Sequence, residues 1–255
     1  METTFLSSNN INLFNKSCLD ILRGEIQSKK IATGHKSLDR HLGGGISLRQ
    51  ITELVGNSGT GKTKMCLQLC LNVQIPKSAG GLEGAALFID TRQDFHPDRL
   101  QELARDLEKE YKQRAPDFQA AKMLQNVHYV SCPNAVQLMA TVLSSYRHLI
   151  AHPNIKVIVI DSLAFSLRML DDGAQRFELL LELVESMRRL LREHEVAWVV
   201  TNVLTHRCIG DQFHVVPALG EMYSHLINER IWFSRNGHCF LGKSWKTSRL
   251  IKDSR

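Results

Sequence analysis

The sequence predicts an α/β fold in which a mainly parallel β-sheet is flanked by helices and ends in antiparallel strands. Short apolar runs alternate with longer periodic stretches, a glycine-rich turn joins the first run to a helix, and an Asn-Gly pair separates two apolar runs near the C-terminal end. With 255 residues, 43% of them hydrophobic and 23% charged, the chain is long enough to bury a substantial core.

Five short apolar runs are the predicted strands. They are Ile51–Val55, Ala85–Asp90, Asn126–Val130, Lys156–Ile160 and Val196–Thr201. Each is apolar enough to be buried on both faces of a sheet, as parallel strands are when helices cover both sides.

The stretches between these runs predict helices. One runs from Lys64 to about Ile75 and stops at Pro76. The clearest covers residues 174–194, where apolar residues recur at three- and four-residue steps. These residues are Phe177, Leu180, Leu181, Val184, Met187 and Leu191.

The C-terminal region predicts a β-hairpin. Asn236-Gly237 lies between the apolar runs 231–235 and 238–241, and a type I′ turn needs positive φ at both central residues. We therefore expect antiparallel strands at this edge of the sheet.

The domain organisation predicted is a leader or linker over residues 1–30 and one core over residues 31–255 that ends in a basic tail. Residues 241–255 hold five basic side chains and one acid, which contributes +4 of the formal +6 charge. The tail could contact nucleic acid, act as an import signal or be solvated, and composition does not choose between these.

Composition argues against a membrane protein and a disordered protein, because no apolar stretch approaches 18 residues and no segment is low in complexity. The six cysteines form no CxxC pair, which favours reduced thiols in an intracellular protein over a zinc site. The histidines suggest no catalytic triad with Ser or Cys.

The most specific motif is a phosphate loop. Its residues are Gly56, Asn57, Ser58, Gly59, Thr60, Gly61, Lys62 and Thr63, which fit G-x-x-x-x-G-K-[ST] at every position. A predicted strand leads in and a helix leads out, as the motif requires. We expect Lys62 to reach the β- and γ-phosphates of ATP and the Thr63 hydroxyl to coordinate Mg²⁺.

A second metal ligand is expected at the end of a buried strand. Asp161 follows Lys156–Ile160 and is the Walker B candidate for Mg²⁺. Because it lies 99 residues after Lys62, two further strands fit between them.

These features resemble the RecA-type recombinases, in particular the eukaryotic paralogues that assist homologous recombination, and most of all the C paralogue. The resemblance covers about residues 31–241. It is carried by Leu38-Asp39, Leu42-Gly43-Gly44-Gly45-Ile46, Val73-Gln74-Ile75-Pro76, Leu87–Thr91, Asp161–Phe165, Val200–Asn202 and Val216–Gly220.

The resemblance implies a RecA-like P-loop core that binds ATP and Mg²⁺ and works in the nucleus in DNA repair and recombination, including meiosis. Implied partners are other recombinase paralogues, the strand-exchange recombinase and single-stranded or junction DNA. It also implies that the segments Arg168–Gln175 and Val203–Val216 face DNA, with Arg168 and Arg207 on phosphates, and that Arg99 lies near the adenine base.

The sequence departs from the family at three places. Family members that hydrolyse ATP are similar in having a glutamate where this chain has Arg92, which accepts no proton, and Asp94 is the candidate substitute. The family's γ-phosphate-sensing glutamine is replaced by Val203. Only about thirty residues precede the core in place of a helical domain, and the subunit-linking Phe-x-x-Ala motif is degraded to Phe14–Ser17.

We therefore expect an ATP-binding recombination accessory protein, a subunit of a hetero-oligomer, with weak or absent hydrolysis. Two alternatives remain open: an active DNA-dependent ATPase with full recombinase character, in which Asp94 or a neighbouring subunit's acid completes the site, and a RecA-core motor such as a helicase.

Overall fold

The computed structural model describes residues 17–26, 28–209, 212–236 and 239–246. Residues 14–16 of the degraded subunit-linking motif and residues 247–255 of the basic tail lie outside these ranges.

Helices connect the five predicted strands along the described chain, as the sequence predicts. The helices are α1 (Cys18–Ile26), α2 (Lys36–His41), α3 (Lys62–Asn72), α4 (Pro97–Tyr111), α5 (Ala120–Gln125), α6 (Ala135–Ala151), α7 (Leu163–Arg168), α8 (Gly173–Glu193) and α9 (Gly220–Leu226). The strands are β1 (Lys30–Ile31), β2 (Ile46–Ser47), β3 (Ile51–Gly56), β4 (Ala85–Asp90), β5 (Val127–Ser131), β6 (Ile155–Asp161), β7 (Ala197–Asn202), β8 (Leu204–Ile209), β9 (Gln212–Pro217), β10 (Glu229–Asn236) and β11 (Cys239–Lys246).

A seven-stranded sheet in the order β11-β10-β3-β7-β6-β4-β5 organises the molecule. All pairs are parallel except β10 with β11. The register places Val55 beside Asn202 and Asp90 beside Asp161. The end of β3, from which the phosphate loop leaves, therefore lies on the same sheet edge as the carboxyl ends of β4, β6 and β7.

Helices cover both faces of the sheet. Side chains alternate across each strand, so both faces present apolar side chains that the helices bury. On one face Leu54 and Phe88 pack in the core that includes residues of α3 and α4. On the other, Leu87 and Trp198 pack with α6 and α8, where Met187 is fully buried. Of the apolar stripe predicted on α8, Leu180, Val184, Met187 and Leu191 are buried in this core. The prediction was wrong for Phe177 and Leu181, which are 37% and 38% exposed.

The predicted antiparallel strands are confirmed, since β10 runs antiparallel to β11. The predicted turn position is one residue off, because Asn236 is the last residue of β10 and pairs with Cys239. The two residues between them, Gly237 and His238, are outside the described ranges. β10 also joins the parallel sheet through β3, so it connects the two parts of the predicted fold.

Two further sequence predictions needed correction. β5 is not buried on both faces, because it is the edge strand of the sheet and leaves Tyr129 45% exposed. α3 ends at Asn72 before reaching Pro76, because Gln74 and Ile75 donate to carbonyls three residues back and close the helix with tighter turns.

Within the described part of the chain, no helix is long and apolar enough to cross a membrane. Cys18, Cys66, Cys70 and Cys132 are free thiols, and burial raises the pKa of Cys66 and Cys70. The expectation of reduced thiols stays a prediction.

The packing makes a stability prediction at Phe88, which is 1% exposed. We expect Phe88→Ala to lower the free energy of unfolding by about 3–5 kcal/mol, since it leaves a cavity between the sheet and its helices. Phe213→Ala is the matched control, because Phe213 is 77% exposed and its loss changes stability by less than about 0.5 kcal/mol. Urea unfolding of both variants measures the difference, and equal losses would contradict the described core.

Candidate nucleotide site

The phosphate loop lies between β3 and α3, as the motif predicts. Gly59 and Gly61 have φ of 76° and 92°, a left-handed backbone that favours glycine. Gly61 caps α3, so the first amides of this eleven-residue helix face the loop. These amides lack intrahelical partners and, with the helix dipole, favour an anion.

Gly56 is required for a different reason. A Cβ at this position would lie 2.3 Å from the Phe233 carbonyl oxygen of the neighbouring β10. Only glycine lets the backbone leave β3 this close to β10, so the loop's starting point is set by the parallel pairing of these strands.

Lys62 is buried inside the loop. Its ammonium donates to the carbonyl oxygens of Gly56 at 2.7 Å and Asn57 at 2.8 Å. Burial lowers the pKa of Lys62, nearby Asp161 raises it and the charge of Arg92 lowers it. The Lys62 ammonium is therefore held inside the loop by two of the loop's own carbonyl oxygens.

Asp161 lies beside Thr63, although the two are 98 residues apart in the chain. The Thr63 hydroxyl donates to Asp161 Oδ2 and the Thr201 hydroxyl donates to Oδ1, both at 2.6 Å. Hydroxyl and carboxylate oxygens are the hard ligands that Mg²⁺ prefers. The predicted residues therefore come together and fit Mg²⁺ with a nucleotide phosphate, while sequence reasoning did not identify Thr201.

Asp90 shapes the turn after β4. Its carboxylate accepts hydrogen bonds from the backbone N–H of Arg92, Gln93 and Phe95 at 2.9–3.0 Å and from the Tyr129 hydroxyl at 3.2 Å. With these bonds Asp90 fixes the backbone on which Arg92 is carried.

Arg92 forms an ion pair with Asp94, with 2.5 Å between Nη2 and Oδ2. The two side chains are 38% and 58% exposed. Because the charge of Arg92 lowers the pKa of Lys62, its guanidinium acts on the phosphate loop electrostatically. The guanidinium of Arg92 thus lies in the turn beside the phosphate loop, and it is paired with the candidate base Asp94.

A buried ionic group supports the carboxyl end of β7. Asn202 donates through Nδ2 to Glu53 Oε1 at 2.7 Å, and Arg230 Nε pairs with the second oxygen of the same carboxylate. Burial raises the pKa of the Tyr223 hydroxyl, and Glu53 raises it further. Sequence reasoning missed this group, and its one signal was the charged Glu53 inside a buried strand.

Comparison with known proteins matches residues 25–237 to the model of the Rad51 family. The chain belongs to the Rad51 family. It is 34% identical over 230 residues to the DNA repair protein RAD51 homolog 3 of Cricetulus griseus, covering 85% of this chain and 63% of that protein. It is 32% identical over 233 residues to the DNA repair and recombination protein RadA of Aeropyrum pernix, covering 89% of this chain and 69% of that protein.

These matches confirm the resemblance to RecA-type recombinases and to the C paralogue among their eukaryotic members. They also agree with the RecA-like α/β core seen in the sheet. The chain spans just under two thirds of the length of its Cricetulus griseus relative.

The two segments that the resemblance expects to face DNA differ in structure: residues 169–172 form a turn between α7 and α8, and the second segment forms strands. In the second segment, residues 203–216, β8 and β9 form an antiparallel hairpin in which Leu204 to Ile209 pair with Gln212 to Pro217. Arg207 lies on β8 and is exposed. The hairpin also exposes 77% of Phe213 and 49% of Val215.

The remaining predicted arginines lie at helix ends. Arg168 is the last residue of α7 and is exposed, while Asp172 accepts from the Ala174 N–H at 2.8 Å and caps α8. Arg99 lies exposed in the first turn of α4. None of these positions contradicts the expected contacts, and each role stays a prediction.

The contacts of Asp161 make a prediction for Thr201. Thr201→Val removes the hydroxyl that orients Asp161, and we expect Mg²⁺-dependent ATP affinity to fall about 10- to 100-fold. Thr52→Val is the matched control, since the buried Thr52 hydroxyl has no hydrogen-bond partner among the described residues. Calorimetric titration of ATP at several Mg²⁺ concentrations measures both, and equal affinities would show that Thr201 does not position the carboxylate.

Proposed function

We propose that the protein binds Mg²⁺ and ATP as an accessory subunit of homologous recombination and DNA double-strand break repair. It acts in a hetero-oligomer of recombinase paralogues that supports the strand-exchange filament. It hydrolyses ATP weakly or not at all. Two relatives whose names state DNA repair support this role. Family membership favours it over the helicase alternative.

The observation that carries the proposal is the assembly of Lys62, Thr63 and Asp161 at the end of the sheet. When bound, Mg²⁺ and ATP supply a charged, transferable phosphoryl group. Lys62 and the α3 amides neutralise phosphate charge, while Thr63 and Asp161 offer oxygen ligands. Thr201 keeps the carboxylate oriented.

Weak hydrolysis follows from Arg92. A guanidinium is protonated at all physiological pH values and accepts no proton from water. Asp94 is held in the ion pair with Arg92, which restrains it from acting as a base. Loss of a positioned base typically lowers the rate by about 10²- to 10⁴-fold.

Bound ATP then serves mainly to stabilise a partner-competent conformation. A ligand present at about 1,000 times its dissociation constant stabilises the folded state by about 4 kcal/mol. Since the loop joins β3 to α3 and contacts β6 through Asp161, this stabilisation acts on the centre of the sheet. We propose that the protein works in the nucleus and that its complex also acts in meiotic recombination.

The test of this function is Lys62→Ala. We expect the variant to lose ATP binding and to associate more weakly with recombinase paralogues in co-purification. Lys64→Ala is the matched control, because Lys64 is exposed on the same helix turn and should leave association unchanged. Complexes that form equally well with Lys62→Ala and without nucleotide would overturn the proposal.

DNA contact is proposed for Arg168 and Arg207. Replacing both by alanine should weaken single-stranded DNA binding and reduce the slope of log K against log salt by about 1.4, since each phosphate contact on a single strand contributes about 0.7. Arg105→Ala with Arg189→Ala, which removes two exposed arginines on α4 and α8, is the control of equal charge. Unchanged binding and slope in the first double variant would refute these contacts.

A further inference from the structure

Three histidines converge at the edge of the sheet, away from the phosphate loop. His128 lies on β5, His148 in the last turn of α6, and His152 caps the end of that helix. One ring nitrogen from each lies within 4.8 Å of those of the other two. The ring centroids are 4.6–5.1 Å apart.

The fold holds this cluster in place. His148 and His152 are four residues apart, so they share one face of α6, and the His152 N–H donates to the His148 carbonyl at 2.9 Å. His128 projects from the edge strand to the same face of the sheet as Val130, which packs against the core that contains α6. A strand and a helix end are thus joined through three imidazoles.

The environment suits neutral imidazole. All three residues are half-buried, and burial lowers the pKa of His128 and His148. The His148 Nε2 atom is buried and has no hydrogen-bond partner among the described residues. An unpartnered buried nitrogen is costly, and coordination to a cation would satisfy it.

We propose that His128, His148 and His152 form a zinc-binding site. Three imidazoles with a water in the fourth position are a known tetrahedral arrangement for this ion, and neutral nitrogen ligands favour it over Mg²⁺ or Ca²⁺. Zn–N bonds of about 2.0–2.1 Å place the ligand nitrogens about 3.4 Å apart, which small side-chain rotations reach from the observed spacing. Because the cluster is partly exposed, water can supply the fourth ligand.

The site is distinct from the proposed ATP site. On β5, Ser131 is the residue paired with Asp90. His128 lies three residues before Ser131, and these three residues span about 10 Å along the strand. A bound ion ties the end of α6 to the edge strand. Its expected effect is therefore on the stability of this edge and not on nucleotide binding.

The test uses the full chain, freed of metal with a chelator and then dialysed against Zn²⁺. We expect one zinc ion per chain by elemental analysis. The folded-to-unfolded ratio should rise about 100-fold at zinc 100 times above its dissociation constant, as measured by denaturant unfolding. Both effects should be lost in His152→Gln and His148→Gln and kept in His225→Gln, which removes an exposed histidine on α9.

Two further measures keep the test decisive. A Cys18→Ser and Cys208→Ser background removes the exposed thiols of the described chain as rival ligands. This Cys18→Ser, Cys208→Ser protein, with all three histidines in place, is also titrated with Co²⁺. Its visible absorption spectrum should show the intense bands of tetrahedral Co²⁺. Zinc retained in both histidine variants, no zinc above trace, or Co²⁺ that gives no such bands would each overturn the proposal.

Discussion

The arrangement of the nucleotide site depends on one carboxylate, Asp161, held between two hydroxyls. Thr63 approaches it from the first turn of α3 and Thr201 from β7. Through these bonds one group joins the phosphate loop, the strand that ends in Asp161 and the adjacent strand. The parallel register makes this contact available, since it brings the ends of β3, β4, β6 and β7 to one edge.

Arg92 and Val203, two positions at which the sequence departs from the family, both lie at this edge of the sheet. Both substitutions therefore bear on nucleotide hydrolysis. Arg92 is carried by the turn that Asp90 orders, while Val203 directly follows Asn202, which the buried Glu53 holds. Both positions lie beside the phosphate loop, and neither offers a carboxylate or an amide side chain. The presence of Lys62, Thr63 and Asp161 without these groups is the reason for proposing that the nucleotide orders subunits and is hydrolysed weakly or not at all.

Much of this was predictable because its signals are local. The strand positions, the phosphate loop, Asp161 and the C-terminal hairpin all follow from short apolar runs and turn residues with specific φ requirements. The edge position of β5 could not be predicted from the sequence, since the order of strands in a sheet is set by pairing between distant segments. The hairpin of β8 and β9 was also missed, because its exposed residues, such as Phe213, do not follow the alternation of a half-buried strand.

Contacts between distant residues were the hardest to anticipate. Glu53 and Arg230 are 177 residues apart, and their pairing exists only because β10 returns beside β3. The histidine cluster likewise needs the packing of α6 against β5. Residue types alone offered no reason to connect these positions.

The most direct measurement follows the fate of labelled ATP on the purified protein with Mg²⁺, with and without single-stranded DNA. Identifying the bound and released nucleotide over time separates a binding subunit from an enzyme. We expect intact ATP to stay bound, with little ADP formed whether or not DNA is present. ADP released at a rate that DNA stimulates would contradict the account, because it would show that a catalytic base acts despite Arg92.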